Sequence, residues 1–183
     1  LLFILFTAPQ LNPGPVYGPL EAGNRFTEGG YSTDLRNAKL TVRLKGDVNQ
    51  RGAKLVLHCQ ARRGDLAINF VLTGQPFAIT PDWSEQTITL TTDPAQWLCI
   101  GARHDLAHVY GWGEIADVLA DVNIDIILLL HPLEIVPLTP EPQGIHQRRP
   151  EVDYAVDRSY LPEGYVLLDE VRLEYPRNVL REP

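Results

Sequence analysis

Apolar and polar residues alternate along much of the first half of the chain. Leu40, Val42 and Leu44 fall on one side of an extended segment, with Thr41, Arg43 and Lys45 on the other. Leu55, Leu57 and Cys59 oppose Val56, His58 and Gln60, and Ile68, Phe70 and Leu72 oppose Ala67, Asn69 and Val71. A period of two belongs to a strand, whose successive side chains leave the backbone on opposite faces. The pattern predicts strands over 38–45, 54–60, 66–73, 86–92 and 97–102. Turn residues separate them at Gly46-Asp47, Arg63-Gly64-Asp65, Gly74-Gln75-Pro76 and Asp93-Pro94. The apolar run 1–6 reads as a further, buried first strand.

The pattern changes after residue 110. Ile115, Val118 and Leu119 recur at helical spacing behind Gly111-Trp112-Gly113, predicting a helix of about two turns. Segment 123–131 is apolar on both faces except for Asp125 and His131, as in a central strand covered on both sides or ending in a pocket. Segment 164–175 reads as the last strand. Two stretches fit neither period. Residues 7–37 hold Pro9, Pro13, Pro15 and Pro19, which forbid a helix and leave an ordered loop with a short edge strand. Residues 137–163 hold Pro137, Pro140, Pro142, Pro150 and Pro162 and read as a long loop, a kind of segment that often carries function. Many short strands, one short helix and long loops predict an all-β fold, an antiparallel β-sandwich. Residues 1–183 form one domain, with 1–37 packed on it.

Composition narrows the partners more than the activity. A length of 183 residues suits one domain that builds its core without disulfides or metals. The net charge of −7 argues against nucleic acid and anionic membranes, which call for basic patches. The opening apolar run is far short of the ~20 residues that span a bilayer, and it lacks the basic flank of a complete signal peptide. The sequence holds no Met, so the chain reads as trimmed or processed. Cys59 and Cys99 read as buried thiols; a disulfide requires their strands to be neighbours, and the compartment stays undecided.

The polar strand faces carry the candidate chemistry. Arg43, His58, Gln60, Asn69 and Asp125 supply planar donors and acceptors that suit sugar hydroxyls, if the strands bring them into one floor. The bland alternative is a solvated sheet face. Asp125, a lone acid in an apolar strand, must be paired or hydrated. Trp112, between two glycines, is the candidate to stack on a sugar ring, with Tyr110 beside it, while Trp83 and Trp97 are expected in the core. His104 and His108 stand four apart, a zinc-ligand spacing on a helix, but no further ligand pattern accompanies them and a surface or loop role is expected. No nucleophile elbow, P-loop, dinucleotide fingerprint or zincin motif occurs.

Three segments together resemble the galactose-binding-like jelly roll of many carbohydrate-binding modules. They are Thr80-Pro81-Asp82-Trp83-Ser84-Glu85-Gln86-Thr87-Ile88-Thr89-Leu90, Val122-Asn123-Ile124-Asp125-Ile126-Ile127 and Leu167-Leu168-Asp169-Glu170-Val171-Arg172-Leu173. The first resembles the Trp-led strand of the family, the second its penultimate core strand and the third its closing strand, and the likeness covers roughly 38–175. It implies a jelly roll of two antiparallel sheets and non-catalytic glycan binding, commonly beside an enzyme domain. It also implies that Asp169 helps hold a structural Ca²⁺ near the N-terminal loop, with Glu21, Glu28 or carbonyls of residues 20–30 completing the ~6–8 oxygens that Ca²⁺ takes. The plain alternative pairs Asp169 with an Arg or with backbone N–H groups. An extracellular location follows if the glycan reading holds. Two other readings stand beside it: a structural or assembly domain whose sheet face is covered by a neighbouring domain or subunit, and a small carbohydrate-active hydrolase or lyase with Asp125 and His58 as its acid/base pair.

Overall fold

The alternating segments pair into two antiparallel sheets. The computed structural model describes residues 2–7, 29–101, 110–133, 138, 151–152, 155, 159 and 161–176. Its strands are β1 (Leu2–Thr7), β2 (Lys39–Asn49), β3 (Lys54–Arg63), β4 (Leu66–Phe77), β5 (Ser84–Thr89), β6 (Trp97–Cys99), β7 (Tyr110–Gly111), β8 (Asp125–His131) and β9 (Glu163–Glu174), with one helix, α1 (Ile115–Ala120), between β7 and β8. The larger sheet runs β1-β8-β3-β4-β6, with β7 added parallel to β4; the smaller runs β5-β2-β9. The architecture is the expected all-β antiparallel sandwich with one short helix.

The core lies between the sheets. Leu55, Leu57, Cys59 and Ala61 of β3, Ile68, Phe70 and Leu72 of β4 and Ile126, Leu128 and Leu130 of β8 face Leu40, Val42 and Leu44 of β2 and Ile88 of β5. These are the apolar halves of the alternating segments. Trp97 is buried edge-on against Phe70, and its indole N–H donates to the Thr91 carbonyl at 2.8 Å. Helix α1 is too short to be stable alone. Its Ile115, Val118 and Leu119 join the core, and the Arg63 guanidinium donates to the carbonyls of Asp117, Val118 and Asp121 at its C-terminal end, where a cation is favoured.

Several expectations need correction. Gly46-Asp47 is no turn, because β2 pairs with β9 without a break there, from Lys45↔Leu167 to Asn49↔Glu163. Gly74-Gln75-Pro76 lies inside β4, where an irregularity separates the Leu57↔Leu72 and Leu55↔Phe77 pairs. The strand expected over 86–92 starts earlier, at Ser84, and β6 stops at Cys99. Cys59 and Cys99 are free, for a topological reason. Both lie opposite Phe70, on strands flanking β4. Two strand spacings separate them by roughly 9–10 Å, beyond the ~7 Å limit for bridged Cα atoms. Most of the loops expected over 7–37 and 137–163 lies outside the described residues.

The outer faces of the two sheets differ. On the larger sheet, Val56 and Val71 point away from the core yet are only 1% and 0% exposed. Ala67, His58, Gln60 and Asn69 of the same face are buried as well. The centre of this sheet, along β3 and β4, is covered on both sides. The smaller sheet turns Lys39, Arg43, Lys45, Glu85 and Arg172 to its open face, where Thr41 and Thr87 share a hydrogen bond of 2.8 Å across the strands.

Candidate functional site

Register decides which of the polar candidates meet. Gln60 on β3 lies opposite Asn69 on β4 and opposite Asp125 on β8, so the three form one row across the middle of the larger sheet. His58, two residues from Gln60 on the same face, reaches diagonally to both ends of the row. Its Nε2 lies 3.2 Å from Asn69 Oδ1, and its Nδ1 lies 3.6 Å from Asp125 Oδ1. His58, Gln60, Asn69 and Asp125 are therefore brought together on the covered face. Arg43 is not among them: β2 belongs to the other sheet, and the core separates it from the row.

Burial sets the electrostatics of the row. Loss of water disfavours the charged form of each group. It pushes the Asp125 carboxyl up to about 6. It holds the His58 imidazole below its ordinary value, partly offset by the Asn69 hydrogen bond. On the opposite face of β3, burial also pushes the Cys59 thiol up, with a further contribution from the Asp125 charge. That thiol has no thiolate character to offer.

The aromatic candidates sit where the row ends at β6 and β7. Tyr110 pairs with Ala67, two residues from Asn69. The Ile100 N–H donates to the Asn69 carbonyl at 3.0 Å, and Gly101 follows it. A methyl group added at Gly101 would lie 2.1–2.5 Å from three consecutive atoms of the six-membered ring of Trp112. Nearly equal distances to three such atoms place the Gly101 backbone over the face of the ring rather than at its edge. Trp112 is nonetheless 69% exposed. Its indole is therefore both pinned and presented, and Leu98 and Ile100, which precede Gly101 in the chain, are exposed as well.

Arg43 belongs to a separate cluster. Asp169 is the extra residue of a bulge in β9, where the register shifts between Arg43↔Glu170 and Leu44↔Leu168. The Arg43 guanidinium donates to the Asp169 carboxylate. Arg43 and Lys45 both stand over the Trp83 ring, at 4.8 and 4.9 Å from its centroid. Trp83 is thus not the core residue expected; it is 39% exposed, its ring engaged by two cations. The Asp169 carboxylate is engaged by Arg43, and among the described residues no three His, Cys, Asp or Glu side chains gather as metal ligands. The described residues therefore do not compose a Ca²⁺ site at Asp169. Glu21 and Glu28 lie outside them, as do His104 and His108.

Gly101, Leu98 and Ile100 had no candidate role in the sequence, and Lys45 was legible only as a polar-face residue beside Arg43. Gly101 carried the one readable signal, since a glycine ending a strand often marks a close backbone approach. Among the described residues no helix is long and apolar enough to cross a membrane. No protein-family model, curated protein or solved structure matches this chain.

Proposed function

We propose that this sandwich is a non-catalytic carbohydrate-binding domain of the galactose-binding-like kind, and that it takes its ligand at the Trp112 rim of the larger sheet. The observation that carries the reading is the Trp112 ring, backed by Gly101 and 69% exposed. A sugar ring stacks its C–H face on such a surface, and a ring held in place loses little freedom when the ligand arrives. In this reading Tyr110 lies beside the stacked ring, and the buried Asn69–His58–Asp125 row supports the rim from beneath rather than touching ligand. An extracellular location goes with the same reading.

A second reading, an assembly domain, draws on Leu98 and Ile100. Both are large, exposed and apolar, they lie on or just after the edge strand β6, and an exposed apolar edge is a surface that partner chains cover.

A glycan array of the full chain tests the first reading, with Trp112→Ala and Gly101→Ala alongside. Wild type is expected to bind a defined glycan. Trp112→Ala is expected to bind it at least about tenfold more weakly, a loss of ~1.4 kcal/mol, while its unfolding midpoint stays close to that of wild type. Gly101→Ala removes nothing from the ligand contact, yet its methyl group displaces the ring and strains a backbone at φ +72°, so binding falls as well. Failure of folded wild type to bind any glycan would sink the proposal and leave the assembly reading.

A further inference from the structure

The hydrogen-bond geometry of the buried row has a proton missing. Asn69 Oδ1 can only accept, so the His58 Nε2 that faces it at 3.2 Å carries a hydrogen. In a neutral ring Nδ1 is then an acceptor. It faces Asp125 Oδ1 at 3.6 Å, and an ionised carboxylate oxygen is an acceptor too. Among the described residues neither atom has a hydrogen-bond partner, and both are shielded from water. Two buried acceptors face to face repel each other and leave both unsatisfied.

One proton resolves the conflict. On the carboxyl it gives Asp125 O–H···Nδ1; on the ring it gives an imidazolium between Asp125 and Asn69. Its loss to solvent demands a different arrangement. The ring hydrogen moves to Nδ1 and is donated to the carboxylate, Nε2 becomes the acceptor, and the Asn69 amide turns over to donate its N–H. We propose that the Asn69–His58–Asp125 row is a one-proton switch in the middle of the larger sheet, whose charge state is coupled to the imidazole tautomer and to the orientation of the Asn69 amide. The proton comes from solvent and returns there, and the charge of the pair changes between zero and minus one.

Among the described residues few other ionisable groups share this face; beyond β4, β7 carries Tyr110 opposite Ala67. On this face β3 carries Lys54 and Arg62 towards its ends, β8 carries His131 at its far end, and β4 carries no ionisable group. Cys59 points into the core. Burial raises the carboxyl and lowers the imidazole, which brings their proton affinities together and favours a shared proton.

Nitrogen NMR on the full chain, followed from pH 7.5 to pH 5, tests the switch. In wild type the His58 Nε2 signal is expected to change from unprotonated to protonated. The Asp125 carboxyl carbon and the Asn69 side-chain amide are expected to shift at the same midpoint. In Asp125→Asn the new amide can donate to Nδ1 without any added proton, so this transition is expected to vanish. The proposal is overturned if Nε2 stays protonated throughout while Asp125 titrates in the ordinary carboxylate range. An unchanged His58 titration in Asp125→Asn overturns it equally. The wild-type titration decides the matter by itself if the variant does not fold, and neither readout depends on glycan binding.

Discussion

Truncating Val56 to alanine is expected to cost about 2 kcal/mol of folding stability, although its side chain points away from the core between the sheets. Leu57→Ala, on the opposite face of the same strand, is expected to cost about 3 kcal/mol. Leu57 faces β2 and β5 across the sandwich, where its removal leaves a cavity walled by packed side chains. An antiparallel sheet commonly leaves its second face to water, and there a valine could be shortened for ~0.5 kcal/mol or less. Val56 and Val71 are as deeply buried as Leu57, so the second face of this sheet behaves as a core. Denaturant midpoints of the two variants, read against an unchanged m-value, separate the cases. A Val56→Ala variant as stable as wild type would mean that the face is open, and that His58, Asn69 and Asp125 are reachable by ligand. A loss near that of Leu57→Ala would mean that the polar row is sealed and that recognition belongs to the rim.

The periodicity was enough to find the strands and their inward faces, because alternation reports burial on one side directly. Leu40, Val42 and Leu44, and likewise Leu55, Leu57 and Cys59, are core residues as the pattern requires. Alternation does not say which strands share a sheet. Arg43 and His58 both sit on polar faces, yet those faces belong to different sheets, and one polar floor becomes two clusters. Strand ends were hidden for a related reason. Gly46-Asp47 has turn chemistry, but β9 lies alongside and pairs straight through it, and tertiary pairing outweighs local preference. Trp83 stands just before β5, as the pattern suggested. Its fate was set by Arg43 and Lys45, two residues apart on the neighbouring strand, which lie over its ring. Asp125 was legible as an acid needing a partner. Its partner comes from the cross-strand register, which puts His58 one diagonal step away.

Asp125→Asn is expected to make the protein more stable than wild type at pH 7, by about 2–3 kcal/mol, with the advantage reduced to about 1 kcal/mol at pH 4.5. The folded carboxyl is raised to about 6 from an ordinary 3.8. A raised carboxyl contributes stability that is complete below its unfolded value and is lost as pH rises through the folded one. At pH 7 the folded chain therefore carries the cost of a buried carboxylate that the amide variant does not. His58 acts in the opposite sense, because its folded value is lowered. Its contribution is complete above the ordinary 6.5 and is lost as pH falls through the folded value. Below the folded Asp125 value the two act in opposite senses in wild type, because the folded chain gains a proton on the carboxyl while the unfolded chain gains one on the imidazole. In the variant only His58 remains, and stability declines as the solution is acidified from pH 6.5. The measurement is the difference between the two unfolding free energies across pH 4.5 to 7.5, which removes the titration of every group they share. A constant difference would show that Asp125 ionises in the folded chain as readily as in the unfolded one. A gap that closes on acidification locates a buried proton on the row and gives it a direct energetic consequence for the fold.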